Sequence, residues 1–285
     1  MNTILAVIKE PDHVKGFLTY LIRMAGDLGL NIHLLYVENP VNYPLGMPDT
    51  TGTASARLQL SMEKSAEDAR QAIIKAVRSL AADTPEGVSI RTSAEIGVTG
   101  LFIDKYLNSN GDSMLVLESQ ENESLWKQDS INMEIIRKAG CPVWIIPSGT
   151  IYQSFDEIVY ATDYHEEDLT TFRNLLDLTR KFSPRITALH ITDNPDFEAR
   201  IKMSGFHESI REKTSYDKIN VTLLNEKEDE DFGMLINDFA SLVEARLIVV
   251  LKENRHFLER IFTPDLTKKI IRQAKIPVLV YHEEK

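Results

Sequence analysis

Residues 134–146 read EIIRKAGCPVWII, and residues 269–281 read KIIRQAKIPVLVY. Both stretches pass from a helical pattern, through a proline, into a short apolar run that is typical of a buried strand. Proline at the start of a strand removes no hydrogen bond from a central ladder. The chain of 285 residues therefore carries the same helix–proline–strand ending twice, which predicts two copies of one domain in tandem.

Strand and helix patterns alternate upstream of each ending. Strands are predicted at 4–8, 32–37, 89–96, 113–117 and 143–146, and again at 157–162, 186–192, 220–225, 247–251 and 278–281. Helices are predicted at 16–30, 54–82, 99–107 and 131–139, and again at 166–182, 196–215, 232–244 and 265–274. Each half is thus βαβαβαβαβ, which predicts an α/β domain whose parallel sheet has helices on both faces. We expect domains at 1–148 and 154–285, joined by a short polar linker.

Composition excludes several classes of function. The formal net charge of −11 disfavours nucleic-acid binding, which needs a clustered basic face. No apolar stretch approaches the roughly 20 residues that span a membrane, and the start of the chain lacks the pattern of a secretory signal. We therefore expect a cytoplasmic protein without membrane or nucleic-acid partners. A single cysteine, Cys141, excludes an internal disulfide, and we expect a buried, unreactive thiol.

No motif for catalysis or metal binding is present. The sequence has no G-x-S-x-G elbow, no Walker P-loop and no HExxH pair. His165, Glu166 and Glu167 are consecutive, so at a helix start they do not face one another as metal ligands would. His190 lies in a strand pattern, where a hydrogen-bonded core histidine is the expected role. We predict no catalytic and no metal-binding residues.

The alternating pattern resembles the universal stress protein family in its tandem two-domain form. In the second half the resemblance rests on 158–163 (IVYATD), 189–191 (LHI), 247–251 and the ending at Pro277. In the first half it rests on 4–8, 115–117 and 141–143. The resemblance implies, in each half, a doubly wound five-stranded parallel sheet of the nucleotide-binding α-hydrolase-like type, with strand order 3-2-1-4-5 and a nucleotide cleft where that order reverses. It also implies pairing through the last strands, here 143–146 with 278–281, and allows a homodimer.

Nucleotide-binding members of that family carry G-x2-G-x9-G-[ST] after the fourth strand, and neither half keeps it. Glycines let backbone N–H groups approach phosphate, and a following helix N-terminus favours the anion. The corresponding residues are Leu251, Asn254, Pro264 and Asp265 in the second half, and Leu117, Gln120, Asp129 and Ser130 in the first. The aspartate that ends the first strand is Asp163 in the second half but Lys9 in the first. We therefore expect weak or absent ATP binding and no required cofactor.

Two features keep ATP or AMP binding open. Asp163 stands where an adenosine contact would be, and basic residues gather after the fourth strand of the second half: Lys252, Arg255, His256 and Arg260. The alternatives are a turn or capping role for the aspartate and a solvated loop for the basic residues. The residues that we name for such a site are Asp163, Ile191, Lys252, Asn254 and Arg255.

Three functions follow from this pattern. The first is a non-catalytic stress-response protein that binds a protein partner or a small ligand through degenerate nucleotide loops. The second is an ATP- or AMP-binding sensor, or a slow ATPase, that uses the cleft of the second half. The third is a chaperone-like adaptor that uses the loop 39–53 and the long helix 54–82.

Overall fold

The computed structural model describes residues 2–40, 53–111, 113–119, 135–136, 139–225, 232–252, 270 and 274–282. These residues fall into two compact units. The first holds the described residues up to Glu118 together with those from Ile135 to Cys141, and the second holds Ser119 and the residues from Pro142 onward. The domain limits predicted from the repeat, 1–148 and 154–285, stay a prediction. None of the described helices is both long and apolar enough to cross a membrane.

The first unit alternates strands and helices as predicted. Its elements are β1 (Thr3–Ile8), α1 (Lys15–Leu28), β2 (Asn31–Glu38), α2 (Thr53–Ser79), β3 (Ile90–Ile96), α3 (Thr99–Ser109) and β4 (Ser113–Ser119). The strands are parallel in the order β3-β2-β1-β4, with Ile4 opposite Ile32 on one side and Met114 on the other. β1 is buried almost throughout, as expected of a central strand covered on both faces.

The second unit has the complete predicted strand order. Its elements are β5 (Val143–Pro147), β6 (Glu157–Ala161), α4 (Glu166–Thr179), β7 (Arg185–Thr192), α5 (Phe197–Thr214), β8 (Ile219–Asn225), α6 (Phe232–Leu242), β9 (Leu247–Lys252) and β10 (Val278–His282). The parallel strands follow the order β8-β7-β6-β9-β10, which is 3-2-1-4-5 in chain order. The order reverses between β6 and β9, so the carboxyl ends of these two strands flank the place where a doubly wound fold binds ligands.

β5, the fifth strand of the first half, belongs to the second unit. It pairs antiparallel with β10, with Trp144 opposite Leu279 and Val143 opposite Val280. The predicted pairing of the two last strands is thereby confirmed. Since an unpaired apolar edge strand invites association with other chains, this ladder protects the exposed side of β10.

Helix ends differ from the predictions by a few residues. The helix predicted to end at residue 82 ends at Ser79, because Leu80 leaves the helical conformation and a short 3-10 turn follows at Ala81–Asp83. α1, predicted at 16–30, ends at Leu28, because Gly29 caps it in the left-handed conformation that glycine adopts without steric cost. The predicted helices 131–139 and 265–274 and the loop 39–53 lie mostly outside the described residues.

Candidate functional site

The candidate site lies at the carboxyl ends of β6, β7 and β9. Ala161, the last residue of β6, is opposite Leu189 of β7 and Val250 of β9. Asp163 follows β6 by two residues, Ile191 is buried near the end of β7, and Lys252 ends β9. Three of the five predicted site residues therefore belong to one edge of the sheet. Their role in binding stays a prediction.

The other predicted site residues, Asn254 and Arg255, lie outside the described residues, as do His256, Arg260, Pro264 and Asp265. For Lys252 only the backbone is described, opposite His282 of β10.

A strained turn follows β6 and holds Asp163. The next residue, Tyr164, has a φ of 69°, in the left-handed region that bulky residues rarely enter. Two hydrogen bonds fix this backbone: the Tyr164 N–H donates to Thr162 Oγ1 at 2.9 Å, and the His165 N–H donates to Asp168 Oδ2 at 3.1 Å. Strain of this kind persists only where the surroundings over-determine the conformation, and it is common at functional sites.

Asp168 is the centre of the network that fixes the turn. Its carboxylate is 2% exposed and accepts hydrogen bonds from Tyr160 Oη at 2.7 Å and Thr162 Oγ1 at 2.6 Å, besides the one from His165 N. Burial raises the pKa of the Asp168 carboxyl above its ordinary value, although the hydrogen bonds from Thr162 and Tyr160 act in the opposite direction. The Asp168 side chain thus connects β6, the loop that follows it and the first turn of α4 by hydrogen bonds.

Sequence reasoning missed Asp168, although a signal was present. His165 is the N-cap of α4, and an acidic residue three positions later that binds the N-cap N–H is half of a capping box. Because His165 is the N-cap, Asp163 does not cap this helix.

Asp163 is nearly buried, with 5% of its side chain exposed. Its Oδ2 lies 3.9 Å from His165 Nε2, and Nδ1 of the same imidazole lies 3.6 Å from Glu167 Oε2. No group of three or more potential metal ligands occurs among the described residues. Among the described residues, His165 thus lies between the carboxylates of Asp163 and Glu167.

His190 anchors the turn to β7. Its Nδ1 lies 2.8 Å from the carbonyl oxygen of Thr162, so Nδ1 carries the proton in this contact. Its ring packs at 4.4 Å from the ring of Tyr164, which in turn lies 5.0 Å from Phe206 of α5. Burial lowers the pKa of His190; the hydrogen bond to Thr162 acts in the opposite direction, and the positive charge of Lys202 lowers the pKa further. The histidine is hydrogen-bonded, as the sequence predicts, but it is half-buried rather than fully inside the core.

The residue at the first glycine position of the phosphate loop, Leu251, is part of the sheet. It lies opposite Tyr281 of β10 and is 3% exposed. The loss of phosphate binding that a branched residue at this position implies stays a prediction.

In the first unit, a lysine stands at the position that corresponds to Asp163. Lys9, which replaces the aspartate, follows β1 and donates from Nζ to the carbonyl oxygen of Glu118 at 3.4 Å. Leu117, at the first glycine position, is 1% exposed. The remaining loop positions that the sequence analysis names in this half, Gln120, Asp129 and Ser130, lie outside the described residues.

The second half is similar to a known protein family. Residues 154–282 match the sequence profile of the Universal stress protein family. A comparison with curated proteins found no match.

Three solved structures share the fold over nearly the whole chain. A universal stress protein from Archaeoglobus fulgidus DSM 4304 is 16% identical, with a TM-score of 0.70 over 100% of this chain and 97% of that one. A functionally unknown protein from Pseudomonas aeruginosa PAO1 is 16% identical, with a TM-score of 0.61 over 99% and 93%. The cytoplasmic domain of a prokaryotic cation chloride cotransporter is 14% identical, with a TM-score of 0.54 over 98% and 94%. Similarities at such low identity establish the fold alone.

Proposed function

We propose that the chain, whose residues 154–282 match the Universal stress protein family, is a non-catalytic member of the stress response that acts by binding a protein partner or a small ligand. The observation that carries this proposal is Leu251. This residue, which the resemblance assigns to the first glycine position of the family's loop, has a buried, branched side chain in the β9–β10 ladder, whereas a glycine would let bare backbone approach phosphate. We therefore expect weak or absent binding of a triphosphate.

The N-termini of α4 and α5, which start at the same edge, support the proposal, whereas the start of the helix predicted after β9 lies outside the described residues. An anion is attracted to a helix N-terminus by N–H groups that have no partner within the helix. At α4 the Asp168 carboxylate accepts from the His165 N–H, and at α5 the Asp196 carboxylate accepts from the Ala199 N–H at 2.9 Å. Each terminus thus already holds a carboxylate of the chain itself, which would repel a phosphate.

Calorimetry tests this function. Protein shown by mass spectrometry to be free of nucleotide is titrated with ATP and with AMP, each with and without Mg²⁺. We expect no saturable heat with ATP up to millimolar concentration. Saturable one-site binding of ATP, or turnover of any common nucleotide, would contradict the proposal.

A second candidate function is an ATP- or AMP-binding sensor. Its support is the convergence of Asp163, Ile191 and Lys252 on one edge of the sheet, where the strand order reverses. If AMP binds, the double variant Lys252→Ala/Arg255→Ala should abolish its saturation. The matched control, Arg57→Ala/Lys64→Ala, removes the same charge from exposed positions of α2 and should leave binding unchanged. Equal binding by all three proteins would exclude the basic loop as the nucleotide site.

A further inference from the structure

Two polar aromatic side chains face the same side of the sheet in the second unit. Trp144 of β5 lies directly opposite Leu279 of β10. Tyr281 is two residues beyond Leu279, so its side chain leaves β10 on the same face as Trp144. Diagonal cross-strand neighbours of this kind lie within reach of each other when the side chains are long and aromatic.

Both side chains are buried together with their polar atoms. Trp144 is 0% exposed and Tyr281 is 5% exposed. Neither Trp144 Nε1 nor Tyr281 Oη has a hydrogen-bond partner in the part of the chain that the structure describes. Leaving such groups without a partner is costly, and nearly all buried polar groups in folded proteins have one.

Two other buried tyrosines of this unit show the usual arrangement, whereas the hydroxyl of the half-buried Tyr164 also has no partner among the described residues. Tyr160 of β6 donates to Asp168 Oδ1 at 2.7 Å, and Tyr216 donates to the carbonyl oxygen of Pro184 at 2.6 Å. Tyr160 and Trp144 lie in the same row across the sheet. Val249 of β9 is opposite Tyr160 on one side and Leu279 on the other, and Leu279 is opposite Trp144. Tyr281 differs from these two in having no protein acceptor within the described residues.

We propose that Trp144 Nε1 and the Tyr281 hydroxyl bind one buried water molecule between them. The indole N–H can only donate, whereas a phenol can donate or accept. The bound species must therefore accept from Nε1 and exchange a second hydrogen bond with the hydroxyl, which a water molecule does. Two polar partners are the minimum for a buried water, and the nearby Phe155 ring, 5.1 Å from Trp144, offers only an apolar surface. This site is independent of the proposed ligand-binding function.

The first test compares the stability of Tyr→Phe variants, measured as the midpoint of thermal unfolding. Tyr216→Phe removes a hydroxyl with a known protein acceptor and calibrates the loss of one hydrogen bond. Tyr281→Phe should lower the midpoint as well, because the water would lose one of its partners. A midpoint equal to or above that of the wild type would mean that the hydroxyl has no partner, and would overturn the proposal.

The second test observes the water directly. The variant Trp126→Phe leaves Trp144 as the one tryptophan, so its ¹⁵N-labelled indole N–H gives a single NMR signal. We expect a cross-peak between this proton and water, with the NOE sign of a long-lived bound molecule, and its loss or weakening on adding Tyr281→Phe. A missing cross-peak in the Trp126→Phe protein, or one unchanged by Tyr281→Phe, would overturn the shared site.

Discussion

Replacing Asp168 with alanine tests whether one buried carboxylate holds the turn after β6. The substitution leaves the donors of Tyr160, Thr162 and His165 without their acceptor. Tyr160 is 0% exposed and Thr162 is 2% exposed, so water cannot readily replace the lost contacts.

The expected cost follows from the number of donors. A buried donor without a partner costs about 1–3 kcal/mol. Some of this is offset, because burial raises the pKa of Asp168 and its charge is itself costly to bury. We expect Asp168→Ala to lower the free energy of unfolding by roughly 3 kcal/mol or more. Asp168→Asn keeps one acceptor oxygen and should cost roughly half as much.

Urea unfolding at pH 7, followed by far-UV circular dichroism and tryptophan fluorescence, measures this change. The matched control is Asp177→Ala, which removes an exposed carboxylate from the same helix. We expect the control to stay within about 0.5 kcal/mol of the wild type. If Asp168→Ala is no less stable than the control, the network does not stabilise the turn and our reasoning about it is wrong.

Three further changes test other parts of the molecule. Burial lowers the pKa of His190, so the unfolded chain binds a proton at higher pH than the folded chain does. The wild type should therefore lose stability relative to His190→Gln as the pH falls through about 6.5, which thermal unfolding measures. Burial raises the pKa of the Cys141 thiol to about 11, which lowers the fraction of reactive thiolate. At pH 8 its reaction with a disulfide reagent should therefore be at least about tenfold slower in the native protein than in urea, and equal rates would contradict this. Gly26→Ala places a Cβ against the Pro85 ring and should lower the free energy of unfolding in urea by about 1–3 kcal/mol. The control Gly16→Ala, on the same helix with no atom within 4 Å of the added Cβ, should not destabilise the protein. Equal effects of the two substitutions would show that the Pro85 ring moves aside.

The fold follows from sequence to a large extent because its signals are local and occur twice. Apolar runs such as 247–251 are continuous rather than alternating, as expected for parallel strands covered on both faces. The repeated proline endings identify equivalent strands in the two halves, and from that equivalence the pairing of β5 with β10 could be predicted.

The turn after β6 could be predicted only in part. Asp163 and His190 stand out by residue type and place, but the left-handed Tyr164 does not, since tyrosine carries no preference for that conformation. The role of Asp168 depends on Tyr160 and Thr162, which come near it only when α4 packs on the sheet. Contacts of this kind depend on tertiary packing, which no periodicity in the sequence encodes.

The ladder between β5 and β10 has a consequence for biosynthesis. A ribosome completes β5 at Pro147, whereas the strand that pairs with it begins only at Val278. At roughly 5–20 residues per second, the interval is on the order of ten seconds. Throughout this time Val143 and Trp144 have an unsatisfied, apolar edge, and the nascent chain depends on its surroundings to keep that edge from another polypeptide. Formation of this one pairing is therefore a late event that couples the first half's last strand to complete synthesis of the second.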